Sequence, residues 1–159
     1  MRTLYVETSV VSYATARPAT DARVAAIQEQ ARDWWSFERP KFELVTSQLT
    51  LDEASVGDPV AASERLKLLK GLPLTPISKD AEVLAGRILA GHMMPGRAAA
   101  DALHVALAAL ARVDYLLTLN CKHIANAHEL PRVYRLLAKE GLGGLLICTP
   151  AEFLGGASP

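Results

Sequence analysis

Three acidic residues and one amide stand where a fold could gather them. Glu7 directly follows the short apolar run at residues 3–6 and directly precedes two hydroxyl residues, Thr8 and Ser9. Glu53 lies inside "QLTLDEASV", Asp101 opens an alanine-rich stretch, and Asn120 ends "YLLTLN". Carboxylates crowded into a partly buried pocket repel one another, so they need a proton, a cationic side chain or a metal ion. Oxygen ligands suit magnesium and manganese. Magnesium keeps several waters and takes a few carboxylates plus phosphate oxygens, a combination suited to phosphodiester hydrolysis. Spacing alone does not bring the acids together, and each one read singly is equally a helix cap or part of a solvated face.

The elements that must position them alternate. Residues 3–6 read as a strand, and "SVVSYATA" reads as a helix with Ser9 available as its N-cap. The periodicity predicts a long helix over 20–38 that Pro40 ends, with Trp34 and Trp35 as core anchors rather than a base-stacking platform. "FELVTS" reads as a second strand leading into the helix that carries Asp52 and Glu53. Asp58 before Pro59 predicts an N-cap and a helix running to about Lys70, closed by Gly71. Pro73 and Pro76 confine "PLTPIS" to a short edge strand. Ser78 caps a helix through about Ala90, with Asp80 and Glu82 near its positive end. After "GHMMPGR", a rim-like loop, residues 98–111 form a small-residue helix suited to close packing on a sheet. Residues 114–120 read as a buried strand, "NCKHIANAH" as a polar loop, residues 129–139 as a helix and "GGLLICT" as the last strand. "TPAE" at Thr149 has the spacing of a capping box, with Pro150 first and Glu152 third in a terminal helix.

Strands alternating with helices argue for a parallel sheet covered on both faces, because parallel neighbours need crossover connections. Ligands in such sheets collect at the carboxyl ends of the strands. Glu7, Glu53 and Asn120 all fall at or just past those ends.

Composition bounds the rest. The 159 residues, half of them apolar, suit one globular domain spanning 1–159 with a substantial core. Without a cleavable basic-apolar leader or an apolar run near the roughly 18 residues needed to span a bilayer, the chain reads as soluble, cytoplasmic and free of membrane. Two cysteines, Cys121 and Cys148, provide no disulfide framework or repeated CxxC pattern, which points to reduced thiols. A formal net charge of +0 argues against a broadly basic nucleic-acid surface while leaving room for a local phosphate-binding patch.

The blocks "YVETSVVS", "TLDEAS", "AADALHVALAALARVDYLLTLNCKHIAN" and "ICTPAEFL" resemble those of PIN-domain proteins, the fold of the toxin component of type II toxin–antitoxin systems. The resemblance covers nearly the whole chain and is most specific over residues 101–126. It implies a three-layer α/β/α sandwich around a central, mainly parallel sheet, and a magnesium- or manganese-dependent ribonuclease, commonly dimeric, with RNA as substrate and a cognate antitoxin as possible partner. Carried over by position, Glu7, Glu53 and Asp101 fall on the three metal-binding acids, and Asn120 falls where many members carry a fourth acid. Two residues depart from the pattern. Glu7 replaces the usual aspartate and is one methylene longer, a shift of roughly 1.5 Å. Asn120 is neutral, so it can offer a carbonyl oxygen but no charge. These departures favour the alternative reading, a catalytically weak PIN domain that binds RNA or protein.

The remaining polar residues divide between roles. Ser9 can orient a carboxylate or bound water, or cap the helix. Lys122 and His123 can touch substrate phosphate or stay solvated. His104, three residues after Asp101, reads as a buried, hydrogen-bonded histidine rather than a general base. Asn126 can hold its loop through the backbone, and Arg97 can pair with Asp101 or reach RNA. Cys121, His123 and His92 complete no tetrahedral zinc spacing. A small-molecule phosphohydrolase is disfavoured because the chain lacks GxxxxGK[ST].

Overall fold

The structure, a computed structural model, describes residues 1–91 and 98–155; His92, the Met93–Gly96 run and Arg97 lie outside them. Five strands form one sheet: β1 (Arg2–Val6), β2 (Phe42–Ser47), β3 (Leu74–Thr75), β4 (Tyr115–Leu117) and β5 (Leu146–Cys148), in the order β3-β2-β1-β4-β5. Every pairing is parallel. The helices are α1 (Thr8–Thr15), α2 (Ala22–Asp33), α3 (Gln48–Ala54), α4 (Pro59–Leu69), α5 (Lys79–Ala90), α6 (Ala99–Leu110), α7 (Leu130–Lys139) and α8 (Pro150–Leu154).

Strand alternation sends Leu4 and Val6 to one face of β1 and Tyr5 to the other. The first face packs against Val10 and Val11 of α1, Trp34, Ala54 of α3 and Leu69 of α4. The second packs against α5, α6 and α7, where Ala102, Val105, Ala106 and Ala109 bring α6 close to the sheet. The result is the three-layer α/β/α sandwich. β3 is the edge strand that its prolines require, and none of the described helices is long and apolar enough to cross a membrane.

Several boundaries differ from the expectation. α1 begins at Thr8, and its N-cap is Glu7 rather than Ser9, because the Glu7 carboxylate accepts the Ser9 backbone N–H at 3.1 Å. The helix expected over 20–38 keeps α-helical bonding only from Ala22 to Asp33; Asp21 caps it, and the chain then widens into a π turn, Trp34–Glu38, and a tight 3-10 turn, Arg39–Lys41. That widening lets Trp34 enter the core completely, among Phe42, Trp35 and Phe153, while Glu38 pairs with Lys41. β4 and β5 are three residues each, shorter than the apolar runs suggested. β2 and the Thr149 capping box match.

The connections explain where a ligand would go. The chain winds outward from β1 through β2 to β3, then crosses by α5 and α6 to β4 on the opposite side of β1. The β1–β4 junction is therefore the point where strand order reverses, and the crevice beyond its carboxyl end is the expected binding position. Val6 pairs with Leu117 at that end, so Glu7 and Thr118 leave the sheet side by side.

Candidate metal centre

Glu7 is 5% exposed, and a buried carboxylate must be hydrogen-bonded or paired. Its Oε2 accepts from the Ser9 backbone N–H, from the Ser9 hydroxyl and, at 2.8 Å, from the Thr118 hydroxyl. The same Ser9 and Thr118 oxygens accept the backbone N–H groups of Leu119 (2.8 Å) and Asn120 (3.0 Å). Two hydroxyls thus tie the first acid to the chain leaving β4.

Glu53 reaches the crevice from α3. Its Oε1 accepts from the Thr8 hydroxyl at 2.5 Å and from Nε2–H of His104 at 2.6 Å. Burial raises the Glu53 pKa, but the His104 contact and the Thr8 hydrogen bond outweigh it, so the carboxyl titrates below its ordinary value of 4.5. His104 is fully buried; its Nδ1 lies 2.8 Å from the Tyr5 phenol oxygen, which lies 2.7 Å from the Ser47 hydroxyl. Burial pushes the Tyr5 phenol up to about 12, against the lowering effect of Ser47 and Thr50.

Asp101 stands in the first turn of α6, and its Oδ2 accepts from Nδ1–H of His123 at 2.9 Å. Asn120 uses its side-chain oxygen to accept the His123 backbone N–H at 3.0 Å, and its carbonyl accepts from Ile124 and Ala125. Its amide therefore shapes the loop that carries His123. The buried Nε2 of His123 has no hydrogen-bond partner among the described residues. Lys122 is exposed on the same loop, and Asn126 donates to the Lys122 carbonyl at 3.0 Å. Cys121 is exposed and Cys148 buried, both as free thiols.

The fold brings Glu7 and Glu53 together. Ligand atoms of Glu7, Glu53 and His104 lie within 4.8 Å of one another, the one such group among the described residues, and Asp101 stands outside it. The donor set fits a hard divalent cation. Each acid is held through one oxygen, and its second oxygen, Oε1 of Glu7, Oε2 of Glu53 and Oδ1 of Asp101, accepts no hydrogen bond from the described residues. Oxygen donors held by an outer layer of hydrogen bonds are what magnesium and manganese require. His104 is a poor candidate ligand, because both of its ring nitrogens already have partners.

Sequence reasoning did not single out Thr118, Tyr5 or Ser47. The signal available was the hydroxyl at the end of an otherwise apolar strand, seen in "LVTS" and "YLLT". A buried hydroxyl at a strand's carboxyl end needs a polar partner.

Residues 4–134 match the family model described as PIN domain. No curated protein and no solved structure matches the chain.

Proposed function

Because the chain belongs to the PIN-domain family, whose members are generally metal-dependent nucleases, we propose that it is an endoribonuclease hydrolysing RNA phosphodiester bonds with magnesium or manganese. The observation that supports this reading best is the trio of acids that each keep one oxygen without a partner among the described residues at the carboxyl end of the sheet. Glu7, Glu53 and Asp101 would hold the cation. When bound, such a cation lowers the pKa of water and neutralises charge on phosphoryl oxygens.

The chain's own residues provide the geometry. Ser9 and Thr118 fix the Glu7 carboxylate, which caps α1 and is bonded to the residue that follows β4. Lys122, exposed on the loop past β4, and His123 beside it would meet the phosphate of a single-stranded or looped RNA, His123 after its ring turns from Asp101. Resemblance to the toxin subgroup supports a role as the toxin of a toxin–antitoxin pair, active as a homodimer in the cytoplasm and blocked by an antitoxin covering the site.

One observation favours a second reading, a catalytically weak PIN domain that binds RNA or protein. Asn120 adds no charge, and its side-chain oxygen is already bonded to His123. Incubating purified protein with a mixed single-stranded RNA pool separates the two. Cutting that requires manganese or magnesium and disappears with chelator or with Asp101→Asn supports the nuclease. A folded protein that binds RNA without cutting it supports the binding module.

A further inference from the structure

We propose that His104 and Tyr5 are positioning residues for Glu53, forming a buried relay that anchors its carboxylate to the central sheet and leaves one defined oxygen for metal. The inference rests on the metal-binding reading above and extends it to residues that touch neither metal nor RNA.

Glu53 has several rotatable bonds, and ordering a glutamate side chain costs rotamer freedom. A free carboxylate on α3, a helix of seven residues, would present either oxygen in many directions. Two donors restrict it: the Thr8 hydroxyl at 2.5 Å and Nε2 of His104 at 2.6 Å, both on Oε1. A histidine can fix a carboxylate only if its own ring is fixed. Here the Tyr5 phenol sits 2.8 Å from Nδ1, its ring packs edge-on against the imidazole at 5.8 Å, and Ser47 holds the phenol at 2.7 Å. Ser47 in turn accepts the Thr50 backbone N–H at 3.3 Å, within the helix that carries Glu53.

The hydrogen order is consistent along the chain. With Glu53 ionised, Nε2 carries the proton and donates, Nδ1 and the phenol share the second hydrogen bond, and the phenol and the Ser47 hydroxyl share the third. Tyr5, Ser47 and His104 are all fully buried, so no water competes for the bonds among these three. Three consecutive hydrogen bonds connect the carboxylate to β1 and β2. Outer partners of this kind typically alter metal affinity 10- to 100-fold when removed.

Two substitutions divide the functions of the imidazole. His104→Gln can keep a donor near the position of Nε2, facing Glu53, whereas His104→Asn keeps polar atoms near Nδ1, facing Tyr5, and cannot reach the carboxylate. Manganese affinity is measured by calorimetry on the full chain, with metal-free melting followed by circular dichroism. Positioning predicts that Asn weakens manganese binding roughly 10- to 100-fold, while Gln, which keeps the donor to Glu53 and loses only the partner for Tyr5, weakens it less. Equal weakening by Gln and Asn, or no weakening by either, overturns the proposal. Tyr5→Phe conserves volume and removes only the hydroxyl; it is expected to weaken manganese binding, and unchanged affinity in a folded Tyr5→Phe protein rejects the relay if His104→Asn does not fold. A parent protein that binds no manganese overturns this inference together with the metal-dependent reading. One that binds manganese but cuts no RNA removes only the nuclease assignment, and the variants still decide the relay.

Discussion

The two sides of the crevice are built differently. Glu7 and Glu53 are held from the core: Tyr5 of β1, Ser47 of β2, His104 of α6 and Thr118, which follows β4, are all fully buried. Asp101 and Asn120 are held instead by the loop after β4, through the His123 ring and backbone. One side is braced by the core and the other by a loop whose histidine keeps an unpartnered buried nitrogen among the described residues. Polar groups anchored to a close-packed sheet have little room to adjust, whereas loop-borne groups can follow a substrate. On the proposed reading, the core fixes the Glu7 and Glu53 ligands, while the loop lets Asp101 and Asn120 adjust as RNA and metal bind.

The largest expected effects come from removing an acid on each side. Glu53→Gln and Asp101→Asn should both reduce RNA cleavage by more than the roughly 100-fold limit expected of an outer partner. Their metal-free stabilities should differ. Asn at 101 can still accept from His123, so melting should hardly change. Gln at 53 loses a charge that His104 and Thr8 favour, so melting should fall. A larger loss of stability in Asp101→Asn would reverse the comparison.

Next comes the joint between the sides. The Thr118 hydroxyl donates to Glu7 and accepts the Asn120 N–H. Thr118→Val removes it and leaves buried groups unpaired, at a cost of about 1–3 kcal/mol in urea unfolding. A Thr118→Val protein as stable as the parent would mean that the two sides are not joined there.

Asn120→Asp sharpens the contrast with a smaller effect. An aspartate can still accept the His123 N–H and adds charge beside the proposed metal site. Manganese should bind more tightly at unchanged melting temperature; weaker binding would show that position 120 does not face the cation.

The pH limbs are the mildest test. The folded Glu53 pKa is lowered, so its contribution to stability is present above the ordinary 4.5 and is lost as pH falls through the folded value. The folded Tyr5 pKa is raised from 10.0 to about 12, so its contribution is present below pH 10 and is lost as pH rises toward 12. Tyr5→Phe should therefore flatten the alkaline limb of a stability–pH profile between those values and leave the acid limb unchanged.

Much of this framework can be read locally. "FELVTS" alternates and ends where β2 ends, and Thr149, Pro150 and Glu152 form their capping box within one turn. Local signals misplace what depends on long-range contacts. The hydroxyl of Ser9 suggested an N-cap, yet the Glu7 carboxylate takes that position because Thr118, 111 residues away, helps to hold it. The smooth periodicity across Trp34 conceals the π turn, which follows from burying one indole in an aromatic cluster with Phe42 and Phe153. His104 read correctly as a buried, hydrogen-bonded residue, but its partners Tyr5 and Glu53 lie 99 and 51 residues away. No spacing rule connects them.

The most direct test of the central claim is anomalous diffraction from crystals grown with manganese. The expected result is an ion held by the free carboxylate oxygens of Glu7, Glu53 and Asp101, with the Ser9, Thr118, Thr8, His104 and His123 hydrogen bonds intact. Manganese absent from the crevice, or bound only after those hydrogen bonds break, would contradict it.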